Sequence, residues 1–171
     1  HEKVGVKKEK ISGLTTEEVE QLAEKVAVGA VKYSILKVGR TTDTAFDFNQ
    51  ALRLDGQSGP YLQYSHARAR SVLAKAEQEL KLSKELSLDL DQLKLTSQEK
   101  NLVAFIYRYP EAVKRSALNN EPNIVAQYLY DLAQRFNSFY NQCPILTAQK
   151  EVVQLRLTLT DAVAIVLKNG L

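Results

Sequence analysis

The stretch PYLQYSHARARSVLAKAEQELKL, residues 60–82, indicates the fold class of this chain. Pro60 presets a backbone angle that suits the first turn of a helix, and no glycine or second proline interrupts the residues that follow it. A run of this length that is rich in alanine, leucine, glutamate, lysine and glutamine is typical of an α-helix. The sequence therefore predicts one long helix that begins at Pro60 and ends at about residue 82.

Two capping boxes mark the starts of further helices on either side of this segment. Thr15 is followed three residues later by Glu18, and Thr96 is followed three residues later by Glu99. At this spacing each side chain satisfies a free amide group in the first turn of a helix. Apolar residues recur at steps of three and four after the first box, which predicts an amphipathic helix over residues 16–38.

Prolines and asparagines divide the second half of the chain into four predicted helices. They are a helix that begins after Thr96 and ends before Pro110, a short helix over 110–118, a long helix from Pro122 to Pro144, and a last helix over 147–168 that ends at Asn169-Gly170. The last helix is expected to bury one stripe, in this or a nearby register: Val152, Leu155, Leu159, Val163 and Val166. Helices joined by short loops pack as an antiparallel bundle, so we expect an all-α fold.

The chain is expected to divide into three parts. Residues 1–13 are polar and lysine-rich and are interpreted as a flexible leading segment or the remnant of an expression tag. Residues 14–58 are expected to form a connecting helix and loop, and residues 59–171 the helical bundle. Because the chain contains no methionine and begins with a histidine, we interpret it as a piece excised from a longer protein.

The composition argues against several kinds of site. Cys143 is the only cysteine, and His1 and His66 are the only histidines, so neither an internal disulfide nor a Cys/His zinc site is expected. The glycine spacings of phosphate-binding loops do not occur, and no nucleophile has a neighbouring base that would activate it. We therefore expect no catalytic residue, no cofactor and no metal in this chain.

Charge and hydropathy place the chain in a broad class. Lysine and arginine number 23 and aspartate and glutamate number 20, which gives a formal charge of +3. This balance permits a nucleic-acid partner without requiring one. No apolar run reaches the length of a membrane span, about 18 to 20 residues, and no secretion signal is present, so we expect a cytoplasmic protein without a membrane partner.

One face of the long predicted helix has an unusual composition. Tyr61, Tyr64 and Arg68 follow one another at steps of three and four residues, so two aromatic rings and a guanidinium group share one side. Such a face can stack unpaired RNA bases and contact phosphates. In the alternative, the tyrosines are core residues and the arginine faces solvent; taken alone, the residues favour this second interpretation.

Several segments of the chain resemble one enzyme family. VAVGAVKYSILKVGR at 26–40, AFDFNQALRLDGQSGPYLQY at 45–64 and SHARARSVL at 65–73 resemble the region in which arginyl-tRNA synthetases pass from their class I catalytic core into a C-terminal helical domain. YLYDLAQRFNSFYNQCPIL at 128–146 and LRLTLTDAVAIVLKNGL at 155–171 resemble the rest of that domain, which is called DALR and binds the anticodon stem and loop of tRNA.

This resemblance implies a function and a set of site residues. It implies that the domain binds tRNA-Arg through an interface formed by Tyr61, Tyr64, Arg68, Tyr140, Asn137 and Asn141. Phe105, Phe136 and Phe139 are instead expected to lie in the core, because their spacing matches the buried stripe.

The resemblance also implies what the chain lacks. The family's catalytic signature contains two histidines three residues apart, and no such pair occurs here. The resemblance therefore implies that ATP and arginine are activated in an upstream catalytic core of the same polypeptide, which would be a second partner of this domain. The family's short tail after the position of Leu171 is also missing. A helical protein-interaction module derived from the same family is the alternative.

Overall fold

The computed structural model describes residues 13–80 and 94–171, and these residues form seven α-helices without a strand. The helices are α1 (Thr16–Leu36), α2 (Phe48–Ala51), α3 (Gly59–Leu80), α4 (Ser97–Tyr107), α5 (Tyr109–Asn119), α6 (Pro122–Gln142) and α7 (Lys150–Gly170). The all-α prediction is confirmed. Most of the predicted leading segment, the end of the predicted long helix at residues 81–82 and residues 83–93 lie outside the described residues.

Both predicted capping boxes are present. The backbone N–H of Thr15 donates to the Glu18 carboxylate at 2.7 Å, and the Thr15 hydroxyl accepts from the Glu18 backbone N–H. Thr96 and Glu99 make the same pair of contacts at the start of α4. These contacts satisfy amide groups that a helix N-terminus leaves without an intrahelical partner, and they fix where α1 and α4 begin.

The last helix differs from its prediction in bounds and in burial. α7 begins at Lys150 rather than at 147, because Gln149 has an extended backbone and occupies the N-cap position. It packs against α3, α4 and α6, so it is buried on more than one face. Val152 is only half-buried, whereas Val153 and Arg156 are buried. The single predicted stripe was therefore too narrow.

Gly170 lies within α7 and does not form the predicted C-cap. A Cβ atom added at this position would lie 2.5 Å from Cδ1 of Leu129 on α6. The absence of a side chain therefore allows the end of α7 to approach α6 closely.

A buried ion pair joins α4 to α7. The Nε of Arg156 donates to Oε1 of Glu99 at 2.6 Å, and its Nη1 donates to the Pro144 carbonyl oxygen at 2.6 Å. Burial raises the pKa of the Glu99 carboxyl, but hydrogen bonds from Thr96 and Arg156 outweigh this effect and bring the pKa below its ordinary value. The pair holds the loop after α6 at Pro144.

Helix α1 packs on α3 and exposes an apolar surface on its other side. Gly59, the first residue of α3, lies so close to the Gly29 carbonyl that a Cβ at Gly59 would collide with it. The Tyr33 hydroxyl donates to the Ala126 carbonyl at 3.2 Å and so ties α1 to α6. The exposed apolar residues of α1 are Leu22, Val28, Val31, Ile35 and Leu36.

Candidate nucleic-acid interface

A groove of about 720 Å³ runs along one side of the bundle. Helix α3 forms one wall, and the last turn of α6 with the loop at residues 145–147 forms the other. Tyr64 on the first wall and Tyr140 on the second have 45% and 39% of their surfaces exposed, so the groove is accessible to a ligand.

The α3 wall follows from helical spacing. Tyr64, Arg68, Ser71 and Lys75 recur at steps of four, three and four residues and so lie on one face of α3. Ser65 and Ala69, which lie between them in the sequence, are buried against the rest of the bundle. The same amphipathic pattern that packs α3 on the bundle thus presents this row of side chains to the groove.

Arg68 connects the two walls. Its Cζ lies 4.6 Å from the centre of the Tyr64 ring and 5.0 Å from the centre of the Tyr140 ring. Its Nη2 donates to the Tyr64 hydroxyl at 2.7 Å. A guanidinium that stacks on two aromatic faces and donates to one of them is held in one position. Tyr64, Arg68 and Tyr140 therefore form one connected unit, called here the aromatic platform.

Asn137 holds Arg68 from below. Its Oδ1 accepts from Nη1 of Arg68 at 2.6 Å, and its Nδ2 donates to the Tyr61 hydroxyl and to the Ser65 hydroxyl, each at 3.0 Å. The amide thus uses both of its ends to connect α6 to α3. Two of the five N–H donors of Arg68 are engaged in these contacts, with Asn137 and Tyr64, which leaves three for a ligand.

The charge of the groove is positive. Among the described residues that line it, Arg68 and Lys75 carry positive charges, and none is an aspartate or a glutamate. Lys75 lies 3.6 Å from Oε1 of Glu79, in an exposed pair one helical turn further along α3. An anionic ligand in the groove would therefore meet two cations.

The structure places the predicted site residues at different depths. Tyr64, Arg68, Tyr140 and Asn141 line the groove, and Asn137 lies beneath it. Tyr61 is half-buried, and its ring lies 5.7 Å from that of Tyr130 rather than in the groove. These placements leave the predicted RNA contacts as predictions.

The expected core phenylalanines differ among themselves. Phe136 and Phe139 are fully buried, as predicted. Phe105 is half-buried; its ring stacks on Tyr128 and is covered by the guanidinium of Arg135 at 3.9 Å.

Sequence reasoning missed the far end of the groove. Ser71, Lys75 and Thr147 line it, and none of them was predicted as a site residue. The helical spacing from Arg68 could have indicated Ser71 and Lys75, but Thr147 comes from a loop that only the folded chain brings opposite them.

Residues 13–80 and 94–171 contain no group of three or more His, Cys, Asp or Glu side chains that could hold a metal ion. No helix within the same ranges has the length and apolar character needed to cross a membrane.

Comparison with known proteins identifies the family. Residues 62–171 match the model of the DALR anticodon binding domain. The chain is 41% identical over 165 residues to the arginine–tRNA ligase of Thermococcus sibiricus, covering 95% of this chain and 26% of that protein. It is 40% identical over 158 residues to that of Actinobacillus succinogenes, covering 92% of this chain and 27% of that protein.

Solved structures agree with this assignment. The arginyl-tRNA synthetase of Thermus thermophilus superposes with a TM-score of 0.85 at 33% identity, covering 99% of this chain and 28% of that one. The arginyl-tRNA synthetase of Plasmodium falciparum superposes with a TM-score of 0.73 at 31% identity, covering 90% of this chain and 26% of that one. The chain thus spans about a quarter of the length of the relatives that it matches. It belongs to the DALR anticodon binding domain family, and the relatives named above are arginine–tRNA ligases.

Proposed function

We propose that this chain binds the anticodon stem and loop of tRNA-Arg in the groove between α3 and the end of α6. The observation that carries the proposal is the aromatic platform, in which Arg68 stacks on Tyr64 and Tyr140 at an exposed surface. Unpaired RNA bases are recognised by stacking on aromatic rings and guanidinium planes and by hydrogen bonds to their edges. The platform offers both kinds of contact.

The proposal gives the six predicted residues two kinds of role. Direct contact with the RNA is assigned to Tyr64, Arg68, Tyr140 and Asn141, because these four line the groove. Asn137 and Tyr61 support the platform, since Asn137 links the Tyr61 hydroxyl to the Arg68 guanidinium.

The rest of the enzyme is proposed to lie outside this chain. In this proposal an upstream catalytic core activates arginine with ATP and transfers it to the tRNA, and the anticodon contacts made here position the tRNA for that reaction. The exposed apolar side of α1 supports the proposal, because side chains such as Val31 and Ile35 would be covered by a neighbouring domain.

A titration of a fluorescent tRNA-Arg anticodon stem-loop with the 171-residue chain tests the proposal. Tyr140→Ala is expected to weaken binding by about 1 to 3 kcal/mol, which is roughly 5- to 140-fold in Kd. Tyr107→Ala is the matched control, because Tyr107 is 86% exposed at the end of α4 and does not line the groove. Equal affinity of the two variants would remove the proposed role of the platform.

A protein-interaction module is the second candidate function. The apolar surface of α1 favours it, because the same side chains could bind another protein instead of a catalytic core. Association through this surface should depend little on salt, whereas RNA binding weakens as salt rises. Salt-insensitive binding of a protein, without any binding of the stem-loop, would favour this candidate.

A further inference from the structure

The groove continues along α3 beyond the aromatic platform. Lys75 follows Arg68 by seven residues, which at the rise of an α-helix places their Cα atoms about 10 Å apart on the same wall. Thr147 lies on the opposite wall, and Ser71 lies between the platform and Lys75. The groove therefore has an aromatic end and a second end at which α3 carries the Lys75 ammonium. Its lining also includes the Thr147 hydroxyl and the apolar side chains of Val72, Ile145 and Leu146.

The second end has the chemistry of an anion site. Lys75 presents a compact positive charge on a flexible chain, which suits contact with a phosphate. Its pairing with Glu79 joins two exposed side chains at 3.6 Å, so a stronger anion can displace the carboxylate. The Ser71 hydroxyl already donates to the Ala67 carbonyl at 2.9 Å, so Lys75 and Thr147 are the donors that face a ligand.

We propose that Lys75, with Thr147 opposite, binds a backbone phosphate of the same RNA strand whose base stacks on the aromatic platform. The proposal rests on the proposed function and adds a second contact point to it. A volume of about 720 Å³ exceeds what one planar base fills and lies in the range that holds an extended ligand. The groove would thus hold a single strand by a base at one end and a phosphate at the other.

The salt dependence of RNA binding tests this contact. For single strands, each phosphate neutralised contributes about 0.7 to the slope of log K against log salt. Lys75→Gln should therefore reduce the magnitude of this slope by about 0.7 in titrations of the anticodon stem-loop. Lys114→Gln is the matched control, because Lys114 is exposed on α5, which does not line the groove. An unchanged slope in Lys75→Gln would overturn the proposal.

Replacing single phosphates locates the contact. Stem-loops that carry one neutral methylphosphonate at each loop position in turn should include one position at which the 171-residue chain binds more weakly. At that position the methylphosphonate should no longer weaken binding in the Lys75→Gln variant, but it should still weaken binding in the Lys114→Gln variant. If no position shows this coupling to Lys75, the proposed phosphate contact is wrong.

Glu79 gives a test in the opposite direction. Glu79→Gln frees Lys75 from its pair, so the affinity for the stem-loop at low salt should rise several-fold, and this gain should be lost in a chain that also carries Lys75→Gln. An equal gain in both backgrounds would contradict the proposal.

The platform and the phosphate contact can fail separately. Loss of affinity in Tyr140→Ala combined with no effect of Lys75→Gln removes only the phosphate contact. No effect of Tyr140→Ala removes the proposed role of the platform, and no binding of the stem-loop by the parent chain removes the proposed function itself.

Discussion

At the scale of single residues, the proposed site depends on one asparagine. Asn137 accepts from Arg68 and donates to Tyr61 and Ser65, so it sets the position of the guanidinium that stacks on both tyrosines. A hydrogen bond that involves a charged group contributes about 1.5 to 3 kcal/mol, more than one between neutral groups. The orientation of Arg68 is therefore fixed in the chain without a ligand.

We expect Asn137→Ala to weaken stem-loop binding by roughly tenfold, about 1.4 kcal/mol, because Arg68 loses the acceptor that orients it. The measurement is the same fluorescence titration, with Asn101→Ala at an exposed position of α4 as the control.

A double-mutant cycle separates this positioning role from general damage to the fold. In a chain that already carries Arg68→Ala, the further change Asn137→Ala should have little effect on affinity. Additive losses would show that Asn137 acts independently of Arg68.

The contacts of Asn137 show why sequence could predict only part of the site. Helical spacing groups Tyr64 with Arg68, but it says nothing of Asn137, which is 69 residues further along the chain. The roles of Asn137 and Tyr140 were predicted only by family resemblance. Lys75 follows Arg68 at helical spacing, but its place in a site depends on a groove whose second wall comes from residues 140–147.

At the scale of helices, the crossing of α1 and α3 depends on a missing side chain. The Cβ of any other residue at Gly59 would collide with the backbone of Gly29, and a backbone carbonyl cannot rotate away as a side chain can. The two helices would have to move apart, and this movement would displace the start of α3, the helix that carries Tyr64.

Gly59→Ala should lower the free energy of unfolding by about 1 to 3 kcal/mol, as overpacking does in other cores. Urea denaturation followed by circular dichroism would measure it. Gly39→Ala serves as the control, because its Cβ would meet only the side chain of exposed Thr42, at 3.3 Å. Equal stability of the Gly59 variant and the parent would contradict the close crossing.

The buried pair of Glu99 and Arg156 predicts a pH dependence of stability. The pKa of Glu99 is lower in the folded chain than its ordinary value, so the folded state binds the proton less readily than the unfolded state. The stabilisation is present above the unfolded pKa, about 4.3, and is lost as the pH falls through the folded value.

We expect Glu99→Gln to destabilise the chain at neutral pH by up to about 3 to 5 kcal/mol, because Arg156 keeps a buried charge without a counter-charge. The deficit should shrink as the pH falls below about 4. Thermal unfolding of both chains at neutral and acidic pH checks this. A deficit that is constant with pH would contradict it.

The helices themselves were largely predictable, and the exceptions have a physical cause. Capping boxes and prolines are local signals, so the starts of α1, α4 and α6 could be predicted from sequence. The burial of α7 depends on three neighbouring helices, so a one-stripe pattern could not describe it. Arg156 interrupts the apolar pattern of α7. It is buried there because it pairs with Glu99, which lies 57 residues earlier in the sequence.

At the scale of the whole molecule, the chain has two surfaces of opposite character. The groove carries two cations and two exposed tyrosines, whereas the outer side of α1 is apolar, with Ile35 at 60% exposure. An exposed apolar surface of this kind favours association with another surface. The proposed function uses the first surface for RNA and the second for the catalytic core.

We expect the isolated chain to self-associate through α1 at high concentration, and Ile35→Glu to suppress this because it places a charge in the apolar surface. Sedimentation velocity measures the association. The same variant should bind the stem-loop with an affinity within about twofold of the parent, since Ile35 does not line the groove. Unchanged self-association would show that α1 is not the surface involved.

Fluorescence of 2-aminopurine tests base stacking on the platform most directly. The base is placed at each loop position of the anticodon stem-loop in turn, and its emission is followed as the chain is added. The aromatic platform predicts that emission changes at one position at least, that Tyr140→Ala removes this change, and that Tyr107→Ala does not. A response that persists unchanged in Tyr140→Ala, or no response at any position, would contradict the stacking of an anticodon-loop base between these helices.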